Sequence, residues 1–187
     1  FPMADLHLDT VGIDPSTIRP VGQLRLADGL WLVGDPAGPE LHTHVSHYQG
    51  EMAVRLALGD DVRPDYRAIP RCTYTDPEAS FTGLTLEQAQ AAGLDAAEFT
   101  QPIATTAKGY VSETELGHVT IIVDRAARTL VGAAIAGPPG SSEAIHEAVL
   151  AIKTATPLAV LADTIHACPT TARAMGTLFG EAARATA

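Results

Sequence analysis

The chain has 187 residues, 46% hydrophobic and 18% charged, enough apolar material for one or two buried cores. Its net charge of −10 argues against nucleic acid or an anionic membrane as partner. No apolar run reaches transmembrane length and no signal pattern opens the chain, so a soluble cytoplasmic protein is expected.

Residues 1–29 read as loop and short strand. Asp9–Gly12 and Val21–Arg25 are separated by Pro15 and Pro20, which break any long helix. The segment holds too few apolar elements to fold alone and reads as the tail of a domain begun elsewhere. Leu30–Val33 is a short apolar run that predicts a buried strand. Gly34-Asp35 and a Gly/Pro-rich turn stop it, and Thr43 is placed as N-cap of a helix running to about Leu58. Asp35 thus falls at the carboxyl end of a strand, where α/β folds bind ligands. Its carboxylate can accept hydrogen bonds from ligand hydroxyls. The free N–H groups of Thr43, His44, Val45 and Ser46 can meet a ring edge or a phosphate. A turn-capping role for Asp35 fits the same pattern.

Asp60 to Pro70 reads as a linker, with a domain boundary near 60–68. Arg71–Thr75 predicts a strand and Asp76-Pro77-Glu78 a turn. Thr85 caps a short helix that stops at Gly93. Glu98–Thr106 is a strand candidate interrupted by Pro102, and Ala107–Gly117 carries no clear pattern. His118–Asp124 and Thr129–Ala136 form a hairpin around Arg125–Arg128. Ser141 or Ser142 is placed as cap of a helix whose stripe is Ile145, Ala148, Val149 and Ile152. A short helix follows Pro157. The last helix is expected to begin at Pro169, with Ala174, Met175, Leu178, Phe179 and Ala182 as its apolar face. Strands followed by helices make the fold class α+β, an antiparallel sheet with helices packed on it, preceded by the last strand and helix of an α/β domain.

The two cysteines, Cys72 and Cys168, form no CxxC or CxxxxC, so neither a disulfide framework nor a zinc site is suggested. At the expected N-cap of the last helix, the Cys168 thiol would feel the macrodipole; a small packed residue at a corner is the other reading. His44 and His47 lie one helical turn apart, but only Glu40 is near them at ligand spacing, and no metal site is assigned. His146 and Cys72 read as structural.

Gly34-Asp35 with Thr43-His44-Val45-Ser46 and Gly50 resembles the second FAD-contacting segment of the pyridine-nucleotide–disulfide oxidoreductases. Thr75–Ala89 is similar to the opening motif of that family's C-terminal dimerisation domain. The hairpin ending Leu130–Gly137, the helix Glu143–Ile152 and Ile165–Thr170 follow in the family's order. The resemblance implies residues 1–67 as the end of an FAD-binding domain and 68–187 as the dimerisation domain. It implies a homodimeric oxidoreductase using FAD, with NAD(P)H as co-substrate, and a small molecule, metal ion or disulfide as acceptor. Gly34, Asp35, Thr43, His44, Val45 and Ser46 would contact the flavin.

Two departures matter. No GxGxxG and no redox-active CxxxxC occur, so most of both cofactors would be held by parts absent from this chain, which would be inactive alone. The family's His-x-His-Pro-Thr motif reads here His166-Ala-Cys168-Pro-Thr170, with Arg173 where a glutamate orients the catalytic histidine. Cys168 therefore stands at the catalytic position, His166 is the matching first histidine, and the family's His–Glu pair lacks its members. This places the chain nearest the mercuric-reductase and dihydrolipoamide-dehydrogenase-like branch. A stand-alone dimerisation module without catalysis is the competing expectation, and a soft-metal binder a third.

Overall fold

The computed structural model describes residues 3–18 and 24–186. The expected strand at Val21–Gln23 lies outside them, as does the Phe1-Pro2 opening. Contacts divide the chain into two units, Phe1–Tyr66 and Arg67–Ala187.

In the first unit Pro15 and Gly12 favour tight turns over extended backbone. Asp9–Gly12 lies in a 3-10 turn rather than a strand, ended by Gly12 at φ 76°. A hairpin follows, β1 (Arg25–Ala27) against β2 (Leu30–Trp31). The expected four-residue strand at 30–33 is therefore cut to two: its one neighbour among the described residues is three residues long, and Gly34 turns the chain at φ 77°. Leu32 is buried but Val33 is exposed. Helix α1 (Thr43–Ala57) buries Val45, Gln49, Met52 and Ala53. Met52 and Ala53 join Leu24, Leu32 and Ala37 in this unit's core. Thr43 is the first helical residue, not the cap; His42 takes the cap position and makes no side-chain capping bond.

The second unit is built on a five-stranded antiparallel sheet. Its strands are β3 (Arg71–Thr73), β4 (Glu78–Gly83), β5 (Ala96–Pro102), β6 (His118–Asp124) and β7 (Thr129–Gly137), ordered β3-β4-β7-β6-β5. β6 and β7 carry the expected hairpin, from His118 opposite Ala136 to Asp124 opposite Thr129. Pro102 ends β5 instead of interrupting it; β5 is an edge strand, where a missing donor costs little. Two short helices flank it. In α2 (Leu86–Ala91) Thr85 and Gln88 form a capping box, and in α3 (Ala107–Val111) Thr106 accepts from Gly109 N–H. Helices α4 (Ile145–Thr154), α5 (Leu158–Asp163) and α6 (Thr171–Ala185) complete the unit. Ile145, Ala148, Met175, Leu178 and Phe179 share one buried cluster with Val119, Ile121 and Ile135 of the sheet.

Strand β4 was not foreseen, and its sequence explains why: its buried positions are Ser80 and Thr82, so no apolar alternation marks it. Neither hydroxyl has a hydrogen-bond partner among the described residues. Thr82→Val, which removes an unpaired buried hydroxyl at constant shape, is expected to raise stability by about 1 kcal/mol in urea denaturation. An unchanged or lower midpoint would refute this.

Neither Ser141 nor Ser142 caps α4. Ser142 instead donates its N–H and its hydroxyl to Glu78 Oε2, at 3.0 and 2.6 Å, and Ser141 Oγ accepts from the Thr171 hydroxyl at 3.2 Å. The Ser142 hydroxyl, then its N–H and that of Gly140, hold the Glu78 carboxyl below its ordinary 4.5. A depressed carboxyl stabilises the fold above its unfolded pKa and loses that contribution as pH falls through the folded one. Stability is therefore expected to decline below pH 4.5, and Glu78→Gln to flatten that limb of a melting-temperature profile.

Candidate functional site

Two groups of sequence-flagged residues occupy different units, and each is built by local chemistry. The first is the corner between β2 and α1. Gly34 at φ 77° turns the chain into the 3-10 turn Asp35–Ala37. An added Cβ on Gly34 would stand 3.4 Å from Ser46 Oγ, so Gly34 and Ser46 are neighbours. Asp35 is exposed, and its carboxylate makes no hydrogen bond among the described residues. At the start of α1 the Ser46 N–H returns to the His42 carbonyl at 3.0 Å, leaving the amides of Thr43, His44 and Val45 uncapped. The Val45 side chain is buried, so only its backbone is offered to a ligand. His44 stacks on His42 with ring centroids 4.9 Å apart, and His42 Nε2 meets Glu40 Oε2 at 3.2 Å.

The residue that fixes this corner is Gln49, which sequence reasoning passed over. Its side chain is fully buried. Oε1 accepts from the Gly34 N–H at 2.7 Å; Nε2 donates to the Gly38 carbonyl and lies 3.1 Å from the Tyr66 hydroxyl. One amide thus ties both ends of the Asp35 turn to α1. The readable signal was a polar residue on an apolar stripe, at i+4 from Val45 and three before Met52. Burial pushes the Tyr66 phenol above its ordinary range, and its hydrogen bond with Gln49 partly offsets that.

The second group is the loop before α6. Cys168 was expected at the N-cap, but Thr170 takes that position, its hydroxyl accepting from Arg173 N–H at 3.0 Å. The helix consequently starts at Thr171 rather than Pro169, and Cys168 stands two residues before the cap. Its thiol is free and exposed. His166 faces inward: its side chain is 6% exposed, and Nε2 lies 2.7 Å from Glu147 Oε1 on α4. A histidine–glutamate pair therefore exists after all, drawn from a different helix than the family pattern suggests. The ring also packs on Gly176 and near Phe179, its centroid 6.3 Å from that of Phe179. So Cys168 and His166, two residues apart, have opposite surroundings. The thiol is offered outward; the imidazole is a fastener for the loop.

Residues 69–179 match the family described as "Pyridine nucleotide-disulphide oxidoreductase, dimerisation domain". The chain belongs to the pyridine nucleotide-disulphide oxidoreductases. Dihydrolipoyl dehydrogenase 2 of Haloarcula marismortui is 34% identical over 172 residues, which is 91% of this chain and 35% of that protein. Dihydrolipoyl dehydrogenase of Halobacterium salinarum is 32% identical over 92% of this chain and 37% of its own length. The chain thus spans little more than a third of the curated relatives it matches. Among solved structures, LpdA of Mycobacterium tuberculosis superposes with a TM-score of 0.85 at 25% identity, covering 96% of this chain and 40% of that one. The HOCl-induced flavoprotein disulfide reductase RclA of Escherichia coli gives 0.81 at 25% identity, covering 96% and 42%. The α+β sheet-and-helix fold is that of this oxidoreductase family. Among the described residues no helix is long and apolar enough to cross a membrane.

Proposed function

We propose that this chain is the C-terminal portion of a homodimeric, FAD-dependent NAD(P)H oxidoreductase of the cytoplasm. The observation that carries the reading is the corner at Asp35: an exposed carboxylate without a partner among the described residues, beside a fifteen-residue helix with no side-chain cap. That donor and acceptor set fits the flavin of the family. The Asp35 carboxylate accepts hydrogen bonds from ribityl hydroxyls, and the Thr43, His44 and Val45 amides donate to the electron-rich ring edge. Gly34 and Ser46 shape the corner, with Gln49 holding it rigid. FAD, when bound, supplies the two-electron carrier between nicotinamide and acceptor. The nicotinamide and most of the flavin are held by parts outside this chain.

The second unit supplies the two-fold interface. Tyr74, Tyr110, Leu150 and Ile165 are more than half exposed, apolar surface that a second copy would cover. The loop carrying Cys168 stands where the family places its proton-handling residue, and Cys168 takes that role toward a disulfide, metal-ion or other small-molecule acceptor. Cys168→Ser in the full-length protein is expected to lower turnover at least about tenfold with its best acceptor; unchanged turnover with every accepted substrate would remove the role.

The deciding experiment is the visible absorption spectrum of the full-length gene product with and without NAD(P)H. A flavin spectrum bleached by nicotinamide supports the oxidoreductase. A colourless protein leaves a dimerisation module without catalysis.

A further inference from the structure

We propose that Tyr66 is a positioning residue for the Asp35 turn, holding it through the Gln49 amide; the proposal rests on the reading of that turn as a flavin contact. Tyr66 is the last residue of the first unit. Two consecutive positions of α1 grip it and the residue before it. The Asp65 N–H donates to the Tyr48 hydroxyl at 2.9 Å, and the Tyr66 ring meets the Tyr48 ring edge-on, centroids 6.0 Å apart at 84°. The Tyr66 hydroxyl lies 3.1 Å from Gln49 Nε2. Gln49 is fully buried, so each proton of its amide needs a partner inside the protein. Backbone polarity fixes which end of that amide faces which group. Oε1 meets the Gly34 N–H, and one Nε2 proton goes to the Gly38 carbonyl. One Nε2 proton remains, and the Tyr66 hydroxyl accepts it.

That last bond decides whether the amide has one resting place or several. Three bonds in three directions fix its plane, and with it the separation of Gly34 and Gly38, which bound the Asp35–Ala37 turn. The Asp35 carboxylate is exposed, so the backbone of the turn sets where it points. Without the Tyr66 hydroxyl a buried N–H is left unsatisfied, and the amide gains by turning away from its other two partners. The Gly34 N–H then loses its acceptor for part of the time. Tyr48 has a different task. Its hydroxyl is bonded to Asp65 rather than to the amide, which makes it the control for Tyr66.

The test compares Tyr66→Phe with Tyr48→Phe, each of which deletes a hydroxyl and keeps a ring. Hydrogen exchange at single amides is read by NMR on the isotope-labelled chain. In Tyr66→Phe the Gly34 amide is expected to exchange about fivefold to tenfold faster, while Met52 and Ala53 on the buried side of α1 change by less than about twofold. One of the two Gln49 Nε2 proton resonances should move upfield and the other keep its place. In Tyr48→Phe the Gly34 rate should hold while Asp65 exchanges faster. An unchanged Gly34 rate in Tyr66→Phe would overturn the proposal. So would equal acceleration in both variants, which is the mark of general loosening. A second arm measures FAD affinity in the full-length protein, where Tyr66→Phe and Asp35→Ala should each weaken binding about threefold to tenfold. Weaker binding in Asp35→Ala alone would overturn the positioning role. Unchanged binding in Asp35→Ala would instead count against the flavin reading of the corner, and the exchange rates, measured without flavin, would still decide the proposal.

Discussion

Gln49→Leu is expected to destabilise the first unit by about 3 kcal/mol, the sum of two or three orphaned hydrogen-bonding groups less a small gain in apolar burial. Leucine suits the helix and the apolar stripe, so propensity and packing alone predict a neutral or favourable change. The opposite sign follows from what the amide holds. The Gly34 N–H loses its acceptor at 2.7 Å, the Gly38 carbonyl loses its donor, and the Tyr66 hydroxyl loses its neighbour at 3.1 Å. Trp31 is the only tryptophan and lies in this unit, so its fluorescence in a denaturant titration reports the unit separately. The Trp31 midpoint should drop while far-UV circular dichroism of the remaining helices unfolds at its former position. A Trp31 midpoint at or above that of the unaltered chain would show that the turn holds itself. In the full-length protein the same substitution should loosen flavin retention, since Asp35 rides on that turn.

What was legible in the sequence is what short-range pattern encodes. The β6–β7 hairpin could be read because His118–Asp124 and Thr129–Gly137 are apolar runs flanking a charged turn, with Val119–Val123 all buried in the first strand and alternate stretches buried in the second. The α4 and α6 stripes could be read from period 3.6, and the Thr85 cap from a threonine standing just before a short helical run; the capping box with Gln88 is what the structure adds. The hidden elements break those patterns with polar residues in buried places. β4, the strand that was missed, points Ser80 and Thr82 inward; α1 was read as a helix, but the role of its buried Gln49 was not. Ser142 looked like a cap because serine caps helices, yet its N–H and hydroxyl are claimed by Glu78, 64 residues away in sequence. Such pairings depend on which strands become neighbours, and no local window carries that.

The site was legible to a similar extent. Asp35 and the α1 terminus could be singled out as candidates because a strand, an acidic turn and a helix start follow one another in sequence. Cys168 was found by its place in a motif. The His166–Glu147 pair depends on α4 packing beside the loop. One clue to it lies in the sequence: Gly176 in the middle of an amphipathic helix, between Met175 and Leu178, a position where glycine normally weakens the helix.

That glycine decides the last prediction. Gly→Ala inside a helix ordinarily stabilises by about 0.5–1 kcal/mol. At Gly176 a Cβ would stand 2.5 Å from His166 Nδ1 and 2.7 Å from its Cε1. The ring cannot swing aside freely, because Nε2 is held by Glu147 at 2.7 Å and the side chain is 6% exposed. Gly176→Ala is therefore expected to destabilise the second unit by about 2 kcal/mol, the cost of overpacking together with a strained buried hydrogen bond. His166→Ala alone should cost about as much, by leaving the Glu147 carboxylate without its partner. The two changes must not add: with the ring gone, the new methyl meets open space, and alanine at 176 should regain its helical advantage. The double variant is expected to be more stable than His166→Ala by up to about 1 kcal/mol, a coupling of about 3 kcal/mol in a double-mutant cycle read by guanidinium denaturation. Additive losses would mean that His166 does not occupy the space over Gly176, and that the loop carrying Cys168 is held to α6 by something else.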